Sequence, residues 1–141
     1  MMPSPKPALI AARFAVLFTA AVAVVAGSAA PARADISVTD NHKTLDVDCA
    51  KDPTISLSGN HITVTTKGVC TKIMIAGNHA TVTGSASMVL VSGNANTVTL
   101  AAADDVVISG NKNTLTVRKA VTRKAPNVMN SGNDNRVTQP K

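Results

Sequence analysis

Apolar and polar residues alternate in short stretches on both sides of a recurring Gly-Asn pair. The stretch "SGNANTVTL", Ser92 to Leu100, is followed by a near copy, "SGNKNTLTV", Ser109 to Val117. With Asp40, Gly59, Gly77, Gly93, Gly110 and Gly132 as anchors, the next residue is always Asn: Asn41, Asn60, Asn78, Asn94, Asn111 and Asn133. The anchors lie 19, 18, 16, 17 and 22 residues apart. Four residues before them stand Ile36, Ile55, Ile73, Val89, Val106 and Val128, and two before stand Val38, Leu57, Ile75, Val91, Ile108 and Asn130. Five residues after come Leu45, Val64, Val82, Val98, Leu115 and Val137. Asn130 alone breaks these three apolar columns, and the alternation within each unit has the period of a half-buried strand.

Each unit therefore reads as strand, Gly-Asn turn, strand. Gly at the anchor is expected to supply a positive φ, with Asp40 as a tolerated substitute. One unit cannot bury its apolar side alone, so the units must stack, like strand on like strand. The predicted fold is all-β: a short parallel β-solenoid of about six rungs of 16 to 22 residues, following a cleaved N-terminal signal helix. Six rungs spaced about 4.8 Å apart give a rod of about 29 Å. Val98 should point inward and Thr97 and Thr99 outward, and the anchor-following Asn residues should form a hydrogen-bonded ladder. Three residues after the anchor, Ile62 and Ala80 give way to Asn96, Asn113 and Asn135, which predicts a second ladder.

The ends depart from the pattern. Lys43 occupies an inward-parity position in the first unit, and the last unit carries Asn130, Arg136 and Pro140, as caps against edge-to-edge stacking would. The longest interval, Gly110 to Gly132, contains "VRKAVTRKAPN", which predicts a protruding loop.

The start of the chain has a different character. Lys6 and Arg13 flank the beginning of a 13-residue apolar run, Phe14 to Ala26, and Ala32-Arg33-Ala34 forms a small-x-small cleavage site. Residues 1–34 are expected to be a signal peptide and residues 35–141 the repeat domain. The run is shorter than the about 20 residues a spanning helix needs, so no transmembrane span is expected in the mature form. The mature chain would keep 11 of the 14 Lys and Arg and all eight acidic residues, so its net charge falls from +6 to +3. That charge, with no Trp or Tyr to stack on bases, argues against nucleic acid as a partner and leaves an anionic envelope component as a candidate. Two cysteines, Cys49 and Cys70, in a chain bound for an oxidising compartment predict one disulfide.

The segments "GNHITVT" at Gly59, "GNHATVT" at Gly77, "GNANTVT" at Gly93, "GNKNTLT" at Gly110 and "GNDNRVT" at Gly132 resemble the units of a bacterial exported domain family of unknown function built on GNxNTV repeats. "DNHKTLD" at Asp40 is a degenerate copy. The resemblance implies export to the periplasm, envelope or medium and a repeat fold, and it brings no catalytic residues or cofactors.

Three surface features are candidates for function. His42, His61 and His79 each stand two residues after an anchor, so stacking would align three imidazoles that could share Zn²⁺ or Cu²⁺. A straight column closes a tetrahedral site poorly, and Ala95, Lys112 and Asp134 at the equivalent later positions suit a plain solvent-facing turn. Thr63, Thr65, Thr81, Thr83, Thr97, Thr99, Thr114 and Thr116 form two outward columns that look like the ice-binding faces of antifreeze solenoids, though β-propensity also accounts for them. Arg118, Lys119, Arg123 and Lys124 could dock on an anionic lipid or cell-wall polymer. Catalysis is not expected: the adjacent side chains of Asp104 and Asp105 should diverge, there is no Glu, and no Ser lies in a nucleophile-elbow motif. The function read from sequence is an exported, non-enzymatic structural or surface-interaction module, with ligand, metal or ice binding as the alternative.

Overall fold

The computed structural model describes residues 34–140. The proposed signal segment lies outside the described residues, apart from Ala34 at its end. Nine strands follow in order: β1 (Ile36–Val38), β2 (Thr44–Asp48), β3 (Thr54–Leu57), β4 (Thr63–Ile75), β5 (Thr81–Val91), β6 (Thr97–Ile108), β7 (Thr114–Val117), β8 (Asn127–Asn130) and β9 (Arg136–Thr138). Every pairing is parallel, and the described residues contain no helix. This is a parallel β-solenoid of six rungs, each made of an incoming strand, a turn and an outgoing strand. The long strands β4, β5 and β6 each carry the outgoing side of one rung and the incoming side of the next.

The stacking follows the apolar columns residue for residue. Ile36 pairs with Ile55, Ile55 with Ile73, Ile73 with Val89, Val89 with Val106 and Val106 with Val128. The column from Leu45 to Val137 is equally continuous. Ile55, Leu57, Ile62, Ile73, Ile75, Val82 and Val98 are buried, whereas Ile36, Leu45, Val128 and Val137 are half-buried, each with a described rung on one side only. Burying such side chains contributes roughly 1.5–3 kcal/mol apiece, which offsets the cost of ordering a short coil.

The uneven spacings are absorbed at one corner of the coil, between the outgoing strand of one rung and the incoming strand of the next. Thr65 pairs with Thr83, 18 residues on, but Val69 pairs with Ser85, 16 on, so two residues are looped out beside Gly68. A smaller shift follows Gly84. Cys49 and Cys70 meet at this corner with their Cα atoms 4.8 Å apart and form a disulfide. In sequence alignment they are offset by two residues; strand pairing breaks off after Asp48/Lys67 and resumes at Thr54/Lys72, and the two cysteines meet inside that break. Closing the 21-residue separation stabilises the fold by about 3 kcal/mol in the chain-entropy picture. Cys70 is continued inward by Ala86 and Ala103, small residues that fill a tight angle.

The turn itself corrects one expectation. The anchor glycines do not carry the positive φ. It falls two residues later, at His42, His61, His79, Ala95, Lys112 and Asp134, with φ between 53° and 57°. Gly is needed at the anchor for a different reason: a Cβ on Gly59, Gly77, Gly93, Gly110 or Gly132 would overlap the carbonyl oxygen of the preceding anchor. Asp40 escapes that restriction because it stands in the first described rung.

Candidate functional site

The left-handed turn position explains the histidines. Asp, Asn and His adopt this conformation more readily than other side-chain-bearing residues, and the position faces solvent. The three rings lie parallel, with centroids 4.9 Å apart between His42 and His61 and 4.8 Å between His61 and His79. With the planes only 6° and 3° apart, the in-plane lone pairs of neighbouring rings lie in parallel planes rather than converging. Among the described residues no group of three or more His, Cys, Asp or Glu is placed to hold an ion. In this arrangement His42, His61 and His79 form a column of stacked turn residues, with no further His, Cys, Asp or Glu beside them to complete a ligand set among the described residues.

Beside that column the turns are tied together by two sets of asparagines. On the outer side, Asn60 donates its backbone and side-chain N–H groups to the side-chain oxygen of Asn41 at 2.7 and 3.2 Å. Asn78, Asn94 and Asn111 repeat both bonds to the preceding rung, and Asn133 repeats the backbone one. On the inner side the direction reverses. Asn96 accepts from the Ala80 N–H at 2.8 Å, Asn113 from Asn96 at 2.9 Å, and Asn135 from Asn113 at 2.8 Å. Their amide N–H groups donate to the carbonyls of Gly77, Gly93 and Gly110.

The threonine face is larger than the sequence predicted. Thr44, Thr63, Thr81, Thr97 and Thr114 stack in one column, and Thr65, Thr83, Thr99, Thr116 and Thr138 in the next, each five rungs deep. Asp46 and Arg136 interrupt one column each, at opposite ends. Most of these side chains are exposed, with Thr99 and Thr116 half-buried. Arg118 lines a small hollow with Thr83, Gly84, Thr99 and Ala101, so the start of the basic loop and the second threonine column share one surface.

The basic loop is held in place. The Asp104 carboxylate is buried and accepts from the backbone N–H groups of Val121 and Thr122 at 2.8 Å each, the Thr122 hydroxyl at 2.8 Å and Arg123 N–H at 3.4 Å. These bonds, the Thr122 N–H first, outweigh the opposing effect of burial and hold its carboxyl below the ordinary aspartate pKa. Asp105 turns the other way and pairs with the Arg123 guanidinium at 2.8 Å. As expected the two carboxylates diverge, but both are committed to the loop. Arg118, Lys119 and Lys124 are exposed and form no ion pair among the described residues.

A surface that the sequence reading passed over lies outside the incoming strands. Met74, Leu90, Val107 and Met129 stack on successive rungs at an outward-facing position, and the first three border a hollow that begins at Ser56 on rung two and ends at Ser109 on rung five. Met129 is 55% exposed, and neighbouring Met88 is 41% exposed. The available signal was four apolar residues at a position whose parity faces solvent.

Residues 57–107 and 91–141 each match a protein-family model described as "Protein of unknown function (DUF3060)". The two matches begin on Leu57 and Val91, residues of the same inward column two rungs apart, so the family pattern is laid down in whole rungs. No curated protein and no solved structure matches the chain.

Proposed function

The chain belongs to the family described as "Protein of unknown function (DUF3060)", and from its geometry we propose that it is an exported, non-enzymatic module that acts by presenting a rigid outer face to a partner. The observation that carries this reading is the double threonine column, five rungs deep and in unbroken register, over a coil whose interior is filled by its own core. The disulfide supports an oxidising compartment, and no described helix is long and apolar enough to cross a membrane. The occupation of Asp104 and Asp105 by loop donors supports the absence of acid-base catalysis.

The partner we favour is an anionic envelope polymer, met by the threonine face together with Arg118, Lys119 and Lys124. Arg123 contributes less, because Asp105 already neutralises it. Thr81→Glu with Thr97→Glu should abolish binding to isolated envelope polymer while leaving the circular dichroism spectrum unchanged, and added salt should weaken the wild-type complex. Binding that survives both changes, or turnover of any substrate lost on a single substitution, would refute the proposal. The depth of the columns also favours ice as a second reading: a flat, regular array of hydroxyl and methyl groups at rung spacing can order water against a crystal face. Inhibition of ice recrystallisation by wild type, lost in the same Glu variant, would select that reading.

A further inference from the structure

The two ends of the coil are nearly complementary to each other. If the first rung of a second copy continued the stack below the sixth, Ile36 and Leu45 would cover Val128 and Val137, all of which are half-buried with a described rung on one side only. In the same register Asp134 would lie beside His42 of the second copy, and Arg136 would stand one column from its Asp46. Asn41 would meet Asn133, the last member of the outer ladder. Such a joint is heterologous and would propagate as a filament.

Lys43 at one end and Asn130, Arg136 and Pro140 at the other already depart from the columns, and one further side chain stands directly in the way. At each of the five later anchors, an added Cβ would overlap the carbonyl oxygen of the preceding anchor. Asp40 is the one anchor that has a Cβ, and it occupies the rung that a second copy would have to present. Its carboxylate is joined to Lys43 at 3.5 Å, so a charged pair also lies across the turn at that end. We infer that Asp40 is a steric gate that prevents end-to-end assembly with a second copy, by placing a Cβ where the Gly132 carbonyl of that copy would sit. The gate costs the fold nothing, because no described residue stacks above Asp40. Its charge is secondary: it is the added carbon that cannot be accommodated.

Sedimentation velocity over a range of concentrations, with negative-stain microscopy, tests this on wild type, Asp40→Gly and Asp40→Ala. The Gly variant should form concentration-dependent multimers growing in one dimension, and wild type and the Ala variant should remain monomeric. Assembly of Asp40→Ala to the same extent as Asp40→Gly would overturn the inference, since charge rather than the Cβ would then be the gate. So would a folded Asp40→Gly variant that stays monomeric, or a wild type that itself stacks end to end. Gly132→Ala tests the same collision within one chain and does not depend on assembly. Its sixth rung should exchange amide hydrogens at least tenfold faster than in wild type, and unchanged exchange would remove the steric basis of the gate.

Discussion

The two asparagine ladders run through the same turns, two residues apart, and do opposite things. The outer one, Asn41 to Asn133, lies at the rim, exposed except for the half-buried Asn60 and Asn78, where water can replace a bond that is lost. The inner one, Asn96 to Asn135, runs the other way, and Asn96 and Asn113 are buried against backbone groups that nothing else reaches. One residue type therefore has a replaceable role at the rim and an irreplaceable one inside, and burial rather than hydrogen-bond count separates them. In rungs two and three the inner position is held by Ile62 and Ala80, so the coil changes from an apolar inner corner to an amide-lined one partway along.

The sharpest way to probe inside against outside is a charge. Val98→Asp puts a carboxylate without a partner into the core and should cost about 4 kcal/mol or more, with loss of cooperative thermal unfolding, whereas Thr97→Asp on the adjacent outward position should cost well under 1 kcal/mol. Equal losses would mean that the parity of the strand is misassigned. Asn96→Ala comes next. It strands the Ala80 N–H and the Gly77 carbonyl in the interior, at about 1–3 kcal/mol each, so a denaturant midpoint shift equivalent to about 3 kcal/mol is expected.

Asp104→Asn should act on the loop before it acts on the coil, seen as faster proteolysis between Arg118 and Lys124. The acid dependence has a definite sign. Because the folded carboxyl titrates below its ordinary value, its stabilising contribution is fully present above the unfolded pKa of about 3.9 and is lost as pH falls from there through the lower folded value. Loop proteolysis should therefore rise below about pH 4 in wild type, and less so in the Asn variant. The smallest effect belongs to Asn94→Ala, which leaves the Asn111 N–H to water and should cost about 1 kcal/mol or less in the same denaturant measurement.

Much of this was legible in the sequence, because a repeat writes each constraint several times. The columns through Ile73, Val91 and Val98 set the rungs and their register, and the run from Asn96 to Asn135 announced the second ladder. The role of the anchor glycine was not legible. A residue needing positive φ and one needing close approach leave the same letter, and only the structure shows the carbonyl of one rung against the Cα of the next. The Asp104 clamp was hidden because its partners are mainly backbone groups 17 to 19 residues away. The Met74 to Met129 stripe was hidden because its apolar residues share their type with the inward columns and differ only in parity. The meeting of Cys49 with Cys70 falls in the corner, in a break of the strand pairing where the repeat is least regular.

The central claim is that buried amides inside the turns lock the second half of the coil together, while those outside only decorate it. Native-state amide hydrogen exchange resolved by residue tests it most directly. The backbone N–H groups of Ala80, Asn96 and Asn113, which donate to the inner ladder, should exchange only through global unfolding, with the same free energy as the core amides of β5 and β6. Those of Asn94, Asn111 and Asn133, which donate to the outer ladder, should exchange by local opening at clearly lower free energy. Equal protection of the two sets, or faster exchange of the inner set, would contradict the account.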